Sequence, residues 1–113
     1  MIRAKTVIRE PEAVNVALRG IGGSIRTARI RRRMSAKDLA DRVEVSLPTL
    51  RKLERGDPGV SMSAFATSLW VLGLLAAVEA SISPAHDSTG LALEVSRLPK
   101  RVRSVPDRDL EGL

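Results

Sequence analysis

Cysteine is absent from the 113 residues, which excludes disulfides, thiolate nucleophiles and cysteine-based zinc sites together. Aromatic residues are nearly missing too: Phe65 and Trp70 stand alone, and there is no tyrosine. Surfaces that bind RNA or single strands stack bases on several rings, so this scarcity argues against an RNA-recognition or oligonucleotide-barrel module. No run reaches the roughly 20 apolar residues of a membrane span. Met1 to Arg9 is charged and lacks the apolar stretch of a signal peptide, so a cytoplasmic protein is expected. Histidine is down to one residue, His86, beside Asp87 in a linker-like Ser83-to-Gly90 segment. Ser24, Ser35, Ser46 and Ser61 suit caps and turns, with no histidine base near them. No metal, cofactor or catalytic group is therefore expected, and the chain is not expected to be an enzyme.

Basic residues are missing from Gly56 to Ser96, where four acids give a charge of −4. From Arg19 to Arg55, by contrast, eleven Lys or Arg face four acids, a balance of +7 in a chain of net charge +6. Positive charge confined to one part of a domain is what a polyanion-binding face requires. The length allows one modest core, and its aliphatic palette of Leu, Val, Ile and Ala suits packed helices.

The pattern along the chain supports an all-α fold. Pro11 and Glu12 look like the start of a short helix within an arm. Gly20, Gly22 and Gly23 then interrupt, and Ile21, Ile25 and Ala28 define a first domain helix at about Gly22 to Arg32. Ser35-Ala36-Lys37-Asp38 fits a capping box and opens a helix over Ala36 to Val43. After only Glu44 and Val45, Ser46 caps a third helix, Leu47 to Arg55, with Pro48 in its first turn and Gly56 as its stop. Ser61 caps a fourth, with Met62, Phe65, Leu69 and Leu72 at helical spacing, and a fifth runs from Leu74 to about Ser81. Leu91, Leu93 and Val95 alternate with Ala92, Glu94 and Ser96, which predicts a short strand. The expected organisation is an N-terminal arm over 1–18, a helix-turn-helix DNA-binding domain over 19–82, a linker and dimerisation strand over 83–98, and a disordered tail over 99–113.

Two short helices joined by a tight turn, the second basic on its outer face, fit a major groove about 12 Å wide. Here the chain resembles the xenobiotic-response-element and phage Cro-repressor family of helix-turn-helix regulators, over about Ile21 to Leu74. The resemblance rests on Ile25-Arg26-Thr27-Ala28-Arg29, Ser35-Ala36-Lys37-Asp38-Leu39-Ala40, Val45-Ser46, Thr49-Leu50, Leu53-Glu54-Arg55-Gly56 and Leu72-Gly73. It implies a five-helix repressor-like domain whose third helix turns Ser46, Leu47, Pro48, Thr49, Arg51 and Lys52 toward bases. It also implies phosphate contacts from Arg26, Ser35, Ala36, Lys37 and Arg55, and an Arg29–Glu54 ion pair that ties the first helix to the third. Glu44 stands where the family usually carries glycine, and Ala36 replaces a frequent glutamine. Length, the basic Leu98-Pro99-Lys100-Arg101-Val102-Arg103 tail and the strand-like segment look most like HipB-type antitoxins, which repress their own operon and bind a HipA-like kinase toxin. A stand-alone phage or metabolic regulator, and an adaptor that bridges proteins through the same fold, are the alternatives. A double-stranded DNA operator is the expected partner, bound by a homodimer joined through Trp70, Leu91, Leu93 and Val95.

Overall fold

The fold is built entirely of helices in the computed structural model, which describes residues 9–98; expectations for 1–8 and 99–113, the basic tail and its disorder included, fall outside those residues. In order these are α1 (Glu12–Arg31), α2 (Ala36–Val43), α3 (Leu47–Arg55), α4 (Met62–Leu72), α5 (Leu75–Ser81), a 3-10 turn (Pro84–His86) and α6 (Ser88–Ser96). The chain divides into two units between Ala76 and Ala77.

In the first unit the apolar stripes of four helices converge. Ile25 and Ala28 from α1, Leu39, Ala40 and Val43 from α2, Leu50 and Leu53 from α3, and Leu69 and Leu72 from α4 form one buried cluster, sealed at its edge by Met34, Val45, Val60, Phe65, Leu74 and Leu75. Each fully buried Leu or Ile contributes about 1.5–3 kcal/mol. Helix boundaries follow local chemistry. Ser35, Ser46 and Ser61 each accept a hydrogen bond from the backbone amide three residues on, while Gly56 and Gly73 close α3 and α4 in the left-handed conformation. Ser68, buried within α4, donates to the Ala64 carbonyl at 2.8 Å, so its hydroxyl has a partner.

Two expected elements differ from what is observed. The first domain helix does not begin at Gly22: α1 starts at Glu12 and runs unbroken through Gly20, Gly22 and Gly23, across the expected boundary after residue 18. Glycine lowers helix propensity by only about 1 kcal/mol, and tertiary contact offsets it here. Gly22 is buried, and a Cβ at that position would lie 2.6 Å from the carbonyl oxygens of both Leu53 and Glu54. A Cβ at Gly56, which sits at φ +81°, would lie 2.5 Å from the Leu18 carbonyl oxygen, so the middle of α1 rests on the end of α3.

The second difference is the C-terminal strand over Leu91, Leu93 and Val95, which is replaced by α6; no strand occurs among the described residues. Asp87 caps this helix by accepting from the Gly90 amide at 3.0 Å. Leu, Ala and Glu are good helix formers, and an alternation only six residues long, with no strand to pair with among the described residues, does not overcome them. Leu91, Leu93 and Val95 are all exposed, as is Leu98 beyond them, and no residue of α6 is buried.

Candidate nucleic-acid interface

α2 and α3 are separated by Glu44, Val45 and Ser46. The turn is made by Glu44 at φ 64°, ψ 44°, after which the Val45 amide returns to the Ala40 carbonyl at 3.0 Å. A glutamate in left-handed backbone costs about 1–2 kcal/mol relative to right-handed helix. The burial of Val43 and Leu39 before the turn and Leu50 after it holds Glu44 there.

On α3, successive residues step by about 100°. With Leu50 and Leu53 buried, Pro48, Arg51, Lys52 and Arg55 are left on the exposed side, and Leu47 and Thr49 are half-buried at its margins. Ser46 is exposed at the N-terminal tip, where its Oγ accepts from the Thr49 amide at 3.1 Å and donates to Thr49 Oγ1 at 2.9 Å.

Arg26, Ala36, Arg51 and Arg55 come together around an open cleft of about 330 Å³, which Arg29 and Glu54 also line. Arg29 and Glu54 make a forked pair, Nε to Oε2 at 2.7 Å and Nη2 to Oε1 at 3.0 Å, with side chains only 10% and 7% exposed. A third bond runs from Arg29 Nη1 to the Met34 carbonyl at 2.9 Å. The hydrogen bond to Glu54, reinforced by its charge and opposed by burial, raises the guanidinium's affinity for its proton above the ordinary arginine value. The pair is thus neutral overall, whereas Arg26, Arg51 and Arg55 form no ion pair among the described residues.

At the start of α2, Ser35 Oγ accepts from the Asp38 amide at 3.0 Å, and the Ser35 amide donates to the Asp38 carboxylate at 3.1 Å. The backbone bond, then the side-chain bond, from Ser35 holds the Asp38 carboxyl below the usual carboxylate range. Lys37 donates to Asp41 at 3.0 Å on the exposed surface. The Ser35 hydroxyl and the Lys37 ammonium therefore have partners within the chain. The amides of Ala36 and Lys37, in the first turn, are the groups positioned to meet an external anion.

Sequence reasoning missed Met34 and Gly22. The Met34 carbonyl reaches Arg29 after a turn in which Arg33 adopts φ 55°, and no residue preference announces a left-handed arginine. For Gly22 a signal was available, since a glycine inside an otherwise helical stripe marks a close approach of another backbone.

A family model described as a helix-turn-helix domain matches residues 21–81, and the chain belongs to that family. No curated protein and no solved structure gives a significant match. Membership in a helix-turn-helix family supports a role in DNA-binding regulation. No single helix among the described residues is long and apolar enough to cross a membrane.

Proposed function

We infer that this protein is a sequence-specific, double-stranded DNA-binding transcriptional repressor, cytoplasmic and without enzymatic activity, that acts as a homodimer. The observation carrying this reading is the exposed side of α3, where Arg51, Lys52 and Arg55 lie opposite a fully packed core face, with Arg26 and the first turn of α2 beside them. In a major groove, Lys52 is suited to guanine O6 and N7. Arg26, Arg55 and the Ala36 and Lys37 amides are suited to phosphates, which set register and carry no sequence information. The test compares two substitutions on the preferred duplex and on random DNA. Lys52→Ala should cost about 1–3 kcal/mol on the preferred duplex and little on random DNA, whereas Arg55→Ala should weaken both alike. Equal losses for Lys52→Ala on both duplexes would remove base reading from α3.

One recognition helix covers few base pairs, so useful specificity needs two half-sites about 34 Å apart and a two-fold partner. Trp70 on α4 is 68% exposed, and α6 presents Leu91, Leu93 and Val95 without burying any of them. Trp70 in the first unit and these three residues in the second are each proposed as a dimer contact, now through helices rather than a strand ladder. A full-length chain carrying Trp70→Ala, Leu93→Ser and Val95→Ser should sediment as a folded monomer. A dimer that persists unchanged would overturn this surface.

The narrower reading, an autoregulating HipB-type antitoxin with a HipA-like kinase toxin as partner, rests on the basic Leu98-to-Arg103 run; the strand that also pointed to it is a helix. An adjacent kinase-like toxin gene would support it, and its absence would favour a stand-alone phage or metabolic regulator.

A further inference from the structure

We propose that the half-site of this protein is specified by guanines and by thymine methyl groups, and that no adenine or cytosine amino group is read by α3. This rests on the DNA-binding reading above and deepens it. In the major groove guanine offers two acceptors, thymine an acceptor and a methyl, adenine an acceptor with an amino donor, and cytosine an amino donor. Recognising either amino group requires a side-chain acceptor, best supplied by the carboxamide of Asn or Gln for adenine and by a carboxylate for cytosine.

α3 and its cap contain no Asn, Gln or Asp, and their single acidic residue is Glu54. Both Glu54 oxygens are taken by Arg29, at 2.7 and 3.0 Å, and the side chain is buried. The two hydroxyls at the tip bond to one another and to the Thr49 amide, which leaves on half-buried Thr49 Oγ1 and on Ser46 Oγ only single, weakly directional lone pairs as acceptors. The strongest groups left are the donors of Arg51 and Lys52 and the apolar surface of Leu47 and exposed Pro48. Such a face distinguishes G·C from C·G by the acceptor pair on guanine. Within A·T pairs its donors can reach thymine O4 or adenine N7, but the 5-methyl group is what its apolar residues grip, because adenine's amino group finds neither a carboxamide nor a free carboxylate on the helix. Leu47 and Pro48 are accordingly specificity-determining residues rather than losses from a polar reading set.

The test uses the full chain. A preferred duplex is selected from a randomised pool, and single atoms are then deleted from its bases. Deoxyuridine replaces each thymine, removing only the methyl; 7-deazaguanine replaces each guanine, removing N7; and purine replaces each adenine, removing the amino group. The expected result is a loss of roughly fourfold per contacted methyl, the equivalent of about one buried methylene, together with a loss at one or more guanines and none at any adenine. Leu47→Ala or Pro48→Ala should abolish the thymine-over-uracil preference at one position. Because the base substitutions are read with the unaltered protein, misfolding of a variant does not blur the result. Loss on removing an adenine amino group, indifference to every thymine methyl, or selection of no sequence from the pool despite salt-sensitive binding would each overturn the inference while leaving DNA binding intact. Failure to bind any duplex would overturn both.

Discussion

Glu54→Ala should lower the stability of the first unit by about 3–5 kcal/mol, because it strands the Arg29 guanidinium among buried groups with only the Met34 carbonyl for company. Total stabilities of domains are about 5–15 kcal/mol, so the loss removes at least about a fifth of the total. In thermal unfolding the midpoint should drop by more than about 10 °C, given about 4–8 °C per kcal/mol in a unit of this size. The cause is desolvation rather than lost attraction. Arg29→Met combined with Glu54→Leu, which removes both charges and keeps apolar bulk, should therefore recover most of the loss. A midpoint for Glu54→Ala within 2 or 3 °C of the parent, roughly the shift from half a kcal/mol, would show that the fork contributes little. The same pair connects stability to function, since it joins α1 to α3 directly beside Arg26, Arg51 and Arg55.

Gly22→Ala and Gly23→Ala should change stability in opposite directions although the residues are adjacent. A Cβ at Gly22 meets two carbonyl oxygens at 2.6 Å, and backbone oxygens at the end of α3 cannot rotate away as the tip of a side chain can. Prising α1 from α3 should cost about 1–3 kcal/mol, and with it the alignment of the recognition helix. At Gly23 nothing lies within 4 Å, so alanine there simply restricts the unfolded chain and improves helix propensity, a gain of about 0.4–1 kcal/mol. Urea unfolding of the two variants decides the matter. Equal effects would mean that α1 does not rest on α3 as described.

These glycines also show where the sequence could be read and where it could not. α2, α3 and α4 have the expected limits because their signals are local: a serine cap and a helical stripe open all three, and α3 and α4 end on a glycine about three turns later. α1 was cut short because Gly20, Gly22 and Gly23 carry the same propensity signal, while only Gly22 is required by a contact, with residues some 30 positions away. α6 is not legible in its segment, because apolar alternation over Leu91, Leu93 and Val95 has meaning as a strand only if a partner strand exists, and this depends on the fold rather than the segment. At the candidate interface, the resemblance identified which residues belong to α3. It did not show that Ser46 and Thr49 bond to each other, that Lys37 is engaged by Asp41, or that Leu47 lies at the margin of the exposed face.

Binding of the full chain to its preferred duplex as a function of salt tests the central claim most directly. If each of two subunits neutralises two phosphates through Arg26 and Arg55, the logarithm of the association constant should fall with the logarithm of salt at a slope of about −4, near 0.9 per phosphate. A bound duplex with a slope near zero, or no duplex bound at low salt, would contradict the assignment of this basic face to DNA.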